Sequence, residues 1–184
     1  MTMPDEAARP CRKWRARLRG LPRPLVALAW AGRPAQANDA NRSMRFEHLA
    51  PLADIPASFL AIQKGPAQMQ PFTAPAGPPV LSLAAEIDDF EDTAAILSIA
   101  DLLISIDSAP AHLAGALGRP VWVLLSAIHC WRWLQTGEAS PWYPSMRLFR
   151  QASRGDWPGL VGNVAHQLRA WAAGQETALE QSPE

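Results

Sequence analysis

Residues 101–125, DLLISIDSAPAHLAGALGRPVWVLL, read as strand, sharp turn, short helix, turn and strand. Leu102 to Ile106 is almost wholly apolar, the pattern of a strand buried on both faces of a parallel sheet. Asp107 and Ser108 follow, where the chain must leave that sheet. Proline suits the first turn of a helix and glycine ends one, so Pro110 and Gly118 predict a helix over Pro110 to Leu117 carrying His112. Val121 to Leu125 is the next strand. A helix that starts at the carboxyl end of a buried strand turns its free N–H groups into the crevice where α/β proteins hold anions. This unit is the candidate phosphate site.

Working outward, Leu25 to Trp30 reads as the first strand, Ser58 to Ile62 as the second, Val80 to Leu83 as a short third and Met146 to Gln151 as the last. Phe46 to Ala53 has helical spacing on one face. Asp88 or Asp89 can cap a helix from about Phe90 to Ala100, with Glu91 and Asp92 in its first turn. Trp157 to Trp171 is the closing helix. Pro66, Pro71, Pro75, Pro78 and Pro79 make residues 66–79 an expected extended loop. Strands alternating with helices imply parallel pairing, right-handed crossovers and a single Rossmann-like α/β domain. Its expected span is residues 25–172, behind a basic, partly disordered lead-in at 1–24 with a short helix from Cys11 to Leu18. An acidic tail follows at 173–184.

The chain has 184 residues and no net formal charge, which gives no global reason to expect nucleic acid or an anionic membrane as partner. Charge is nevertheless uneven: eight basic residues fall between Ala7 and Ala37, from Arg9 to Arg33, with no acid among them. The preferred reading is a solvated basic helix on the edge of the domain. Cys11 and Cys130 form no disulfide framework and suggest a reducing, cytoplasmic setting. The basic stretch, the apolar run Leu25 to Ala31 and Ala-Gln-Ala at 35–37 imitate an export signal. That run lies late, behind Pro22 and Pro24, and reads equally well as a strand. No apolar run approaches the ~20 residues of a membrane span.

If the strand order reverses between Leu25 to Trp30 and Leu102 to Ile106, the loops after those strands flank one crevice. The long polar loop with Arg33, Asn38, Asp39, Asn41, Arg42 and Ser43 then faces Asp107, Ser108 and the helix start at Ala109. Gln63 and Lys64 arrive from the neighbouring strand. Arg33, Arg42 and Lys64 with a helix N-terminus suit a diphosphate, and Ser108 can donate to a phosphate oxygen. Asp107 has two readings, a cap on the following helix or an acceptor for a sugar hydroxyl. His112 is either a packed side chain or a ribose or phosphate contact. The turn after the first strand lacks Gly-x-Gly-x-x-Gly, and no Walker lysine motif is present. His48, His112, His129 and His166 have no metal-ligand spacing, so neither a metal nor a cofactor is expected. Trp131, Trp133 and Trp142 are either packing residues or a sugar platform.

Residues 101–125, then Trp131-Arg132-Trp133-Leu134 and the run from Ser140 to Gln151, closely resemble the carboxyl-terminal part of bacterial tetratricopeptide-repeat glycosyltransferase-like proteins. That family is related to the heptosyltransferases and more distantly to O-linked N-acetylglucosamine transferases. Trp30-Ala31-Gly32, Asn38-Asp39, Asn41-Arg42-Ser43 and Gln63-Lys64-Gly65 match it in the same order. Ser126, Cys130 and Pro110 depart from it, standing where a proline, an aspartate and a valine are usual.

The resemblance implies the second half of a GT-B fold, with a nucleotide-diphosphate sugar as donor substrate. It implies donor contacts from Arg33, Asn38, Asn41, Arg42, Ser43, Gln63, Lys64, Asp107, Ser108, Ala109, His112 and Trp131. Asp39 is the one acid in this chain it offers as a catalytic base. A separate acceptor domain or repeat protein is the implied partner. Two other readings stay open: a non-catalytic, truncated transferase module, and a nucleotide-binding Rossmann domain outside glycosyl transfer.

Overall fold

The computed structural model describes residues 5–180, and their side chains over residues 10–174. The outermost parts of the lead-in and tail, residues 1–4 and 181–184, lie outside that range. Six strands form one parallel sheet: β1 (Leu25–Ala29), β2 (Ser58–Ala61), β3 (Val80–Ser82), β4 (Leu102–Ile106), β5 (Val121–Leu125) and β6 (Met146–Arg150). Their spatial order is β3-β2-β1-β4-β5-β6. The order reverses between β1 and β4, which pair directly with Val26 opposite Leu102 and Ala29 opposite Ser105. That pair is the topological switch point, and every residue in both strands is buried.

Alternation along the strands sends side chains to two cores. On one face Val26, Leu28, Leu102, Ile104, Trp122 and Leu124 meet the closing helix α5 (Trp157–Glu180) through Leu160, Val161, Val164 and Leu168. On the other, Leu25, Ala27, Leu103, Val121 and Val123 meet Ile96 and Leu97 of α3 (Phe90–Ile99) and Ala111 and Ala114 of α4 (Ala109–Ala116). The α3 N-terminus is capped as its sequence predicts: the Asp89 carboxylate accepts from the N–H groups of Glu91 and Asp92 at 2.9 and 3.0 Å.

The basic lead-in helix, α1 (Asp5–Arg17), starts ahead of the expected Cys11 and docks on α3. Trp14 is fully buried and its indole donates to Asp92 at 2.6 Å. Lys13 pairs with the same carboxylate at 3.2 Å, and Arg17 with Glu86 at 2.9 Å. The Asp92 carboxyl sits below its ordinary value: burial opposes its ionisation, but the Asp88 N–H, the Trp14 indole and the Lys13 ammonium outweigh that.

Three elements differ from expectation. Phe46–Leu52 is a 3-10 helix, in keeping with Pro51, whose ring nitrogen cannot donate. Pro66–Phe72 is also 3-10 rather than extended. Pro66 takes the first-turn position, and Gln70 binds back to the core, its side-chain oxygen accepting from the Trp30 indole and the Phe46 N–H, both at 2.9 Å. The closing helix runs on through Gly174 to Glu180 instead of stopping near Trp171. A single helical glycine costs only about 1 kcal/mol, which the surrounding alanines and glutamines tolerate.

Candidate functional site

The site lies at the carboxyl ends of β1 and β4. The loop after β1 folds into a bracket built on α2 (Asp39–Arg42). The Gly32 N–H donates to Ser43 Oγ at 2.8 Å, and the Ser43 hydroxyl donates to Asp39 at 2.9 Å. Arg42 Nε donates to the same Asp39 oxygen at 3.2 Å, while its Nη1 donates to the Asp107 carbonyl at 2.8 Å. One guanidinium therefore ties the loop after β1 to the turn after β4. A side chain at Gly32 would run into both the Arg42 guanidinium and the Asp39 carboxylate, so the bracket requires glycine there. Asn41 donates to Asn38 at 2.7 Å and accepts from Arg154 at 2.9 Å, which brings in the segment after β6.

The helix start itself is sparsely committed. Ser108 occupies the N-cap position of α4 without a side-chain cap bond. The N–H groups of Ala111 and His112 turn back to the Ser108 carbonyl at 3.1 and 3.4 Å. Pro110 has no N–H to give. The N–H groups of Ser108 and Ala109 have no partner among the described residues. Ser105, fully buried, donates its hydroxyl to the Ile106 carbonyl at 2.9 Å. A hydroxyl has a single proton, so the 2.8 Å contact between Ser105 and Ser108 is a donation from Ser108.

Asp107 does not cap the helix. His112 Nε2 stands 3.7 Å from its carboxylate, within ion-pair reach when the imidazole is protonated. Burial opposes ionisation of Asp107, yet His112 and the Arg42 guanidinium hold its carboxyl below the ordinary value. The Trp133 side chain is fully buried, and its indole N–H lies outside hydrogen-bond geometry with any acceptor. The His112 ring stacks on Trp133 at 5.3 Å between centroids, and its Nδ1 is 3.3 Å from the Tyr143 hydroxyl.

The geometry thus brings together Asn38, Asp39, Asn41, Arg42 and Ser43 with Asp107, Ser108, Ala109 and His112. Gln63 is a buried splint beneath them. Its side-chain oxygen accepts from the Trp30 and Ala31 N–H groups, and its amide nitrogen donates to the Ala31 and Lys64 carbonyls. The Lys64 ammonium is engaged by the Ala84 and Ile87 carbonyls at 2.8 and 2.7 Å. Arg33 is exposed. Trp131 is 70% exposed and packs edge-on against Trp142 rather than into the crevice. Tyr143 and Arg154 join the site without having been singled out from sequence, and Trp133, read from sequence as either a packing residue or part of a sugar platform, packs there against His112. Their contacts are tertiary, spanning from about twenty to over a hundred residues of chain. Among the described residues no group of three or more His, Cys, Asp or Glu could hold a metal ion.

The single α/β domain with its six-stranded parallel sheet matches the fold of GT-B-like glycosyltransferase structures. Residues 74–142, which contain β3, α3, β4, α4 and β5, match the model of glycosyltransferase family 9 (heptosyltransferase). The chain is 34% identical over 169 residues to Protein FlbA of Caulobacter vibrioides, an alignment covering 87% of this chain and 28% of that protein. Two solved structures share the fold. One is the family 9 glycosyl transferase from Veillonella parvula, with a TM-score of 0.55 and 18% identity over 99% of this chain and 54% of that one. The other is the E. coli ADP-heptose lps heptosyltransferase II, with a TM-score of 0.58 and 17% identity over 96% and 54%. The chain therefore spans about a quarter of that relative and about half of each solved structure.

Proposed function

We propose that this chain is the donor-binding domain of a glycosyltransferase and takes a nucleotide-diphosphate sugar at the crevice between the Asn38–Ser43 bracket and the start of α4. The observation that carries this reading is the Arg42 link from the bracket to the Asp107 carbonyl. It fixes polar side chains beside the unpartnered N–H groups of Ser108 and Ala109, inside a region that matches a glycosyltransferase family. A diphosphate against those N–H groups gains both hydrogen bonds and the helix dipole. Arg42 and the exposed Arg33 supply charge, while Lys64 and Gln63 hold the neighbouring strand ends. His112 and Asp107 suit ribose or sugar hydroxyls, with His112 held in place by Trp133 and Tyr143.

Asp39 already accepts from Ser43 and Arg42, and in this reading it shapes the bracket. The base for transfer then comes from the other half of the fold, which the solved structures possess and this chain does not span. Calorimetry with ADP-, UDP- and GDP-sugars tests the proposal. Saturable binding of at least one is expected, with an ADP-sugar the first to try because the E. coli relative is named for ADP-heptose. Heat at background level for all three overturns it. The alternative reading is a non-catalytic binding module. Turnover by this chain with a donor and an acceptor, but no further domain, would exclude that reading.

A further inference from the structure

The basic lead-in is only partly absorbed by ion pairs. Lys13 and Arg17 find Asp92 and Glu86, and Arg23 finds Asp101. Arg15 and Arg19, both exposed, have no acidic partner among the described residues. They converge with Arg23 and Arg119 on a cavity of about 520 Å³, which also takes in Ser98 and Asp101. Arg119 donates to the Ala100 carbonyl at 2.9 Å, but its Nε–H is buried without a partner. The cavity opens beside Leu25, at the amino ends of β1 and β4. It is one strand length, roughly 15 Å, from the crevice described above.

Charge decides what this cavity wants. Arginines near helix C-termini can simply complement the negative dipole ends of α1 and α3, each worth about half a charge. Those two ends and the Asp101 carboxylate offset about two of four guanidiniums, leaving a surplus of about two positive charges. A volume of this size lies in the range of small-ligand pockets. Forks from several directions are better satisfied by a tetrahedral phosphate, with three or more oxygens on one centre, than by a planar carboxylate with two.

We propose that this cavity is a second anion site, distinct from the sugar-donor crevice, that binds a small ligand carrying two or more phosphate charges. Amide NMR on the ¹⁵N-labelled chain with inorganic pyrophosphate as probe tests it. Saturable shifts are expected at Arg19, Gly20, Ile99 and Arg119. The Arg15→Ala/Arg19→Ala double variant, which changes two exposed side chains, should bind about tenfold more weakly or worse at those amides while its melting temperature holds. Arg19→Lys, keeping charge but losing the fork, should fall between. Linear, unsaturable shifts, shifts confined to Ser108–Ala111, or an unchanged affinity in the double variant would overturn the site. Citrate binding there as tightly as pyrophosphate would overturn the assignment to phosphate.

Discussion

Gly32 shows how much of the site turns on single atoms. Its missing Cβ leaves room for the Arg42 guanidinium and the Asp39 carboxylate to meet. Gly32→Ala forces that pair apart, and overpacking of this kind costs about 1–3 kcal/mol. The expected outcome is a lower melting temperature together with weaker donor binding, read by calorimetry on the same preparation. Ser108→Ala makes the contrasting case. The Ser108 hydroxyl already donates to Ser105, so turning to a phosphate exchanges one hydrogen bond for a charge-assisted one. The loss in affinity should be about 1–2 kcal/mol, with little change in stability. Unchanged affinity in this variant would place the phosphate elsewhere. Asp107 marks the limit of reading at this scale. Its position before a helix fits a cap, and only the fold reveals that Arg42 holds its carbonyl while His112 and Trp133 surround its carboxylate. Gln63 and Lys64 were visible as polar residues at a strand end. That their side chains engage backbone carbonyls and N–H groups depends on neighbours twenty or more residues away.

At the scale of elements, the strands and the capped helix α3 were legible because they follow local rules: apolar runs, a proline in a first turn, an aspartate before an acidic first turn. The docking of α1 was not, because it rests on the meeting of Trp14, Lys13 and Asp92 across nearly eighty residues. Two outcomes follow for that joint. Trp14→Ala empties a fully buried site and should cost about 3–5 kcal/mol in chemical denaturation. Asp92 gives the joint a pH dependence. Its folded pKa lies below the unfolded value of about 3.9, so its contribution is complete at neutral pH. That contribution fades as pH falls through the folded pKa. Urea denaturation of Asp92→Asn and the unaltered chain should therefore show a stability gap at pH 7 that narrows toward pH 3. A gap independent of pH would mean that the carboxylate's charge contributes nothing to the joint.

At the scale of the whole molecule, apolar surface is exposed beside the proposed donor crevice. Trp131, Trp142, Leu134 and Ile128 are each at least half exposed on the segment after β5. The solved structures of the same fold continue for about as much chain again. Parallel pairing was legible at this scale because strand–helix alternation admits few topologies, whereas the strand order entered only as a condition that the fold then met. What covers the aromatic rim was not legible, since a surface residue carries no periodic signal of its partner. The proposed reading separates binding from turnover in a measurable way. On that reading the donor contacts lie within one bracket and one helix start, so the 184-residue chain should bind its nucleotide sugar on its own. Transfer also needs an acceptor held against the donor and a base within about 3 Å of the acceptor hydroxyl, and one oxygen of the Asp39 carboxylate already accepts from both Ser43 and Arg42. Isothermal titration and a product assay on one preparation should therefore give saturable donor binding with no transfer above the uncatalysed rate. Adding the remaining portion of a longer relative as a separate chain should restore transfer. Transfer without that addition would show that this domain already holds its own base.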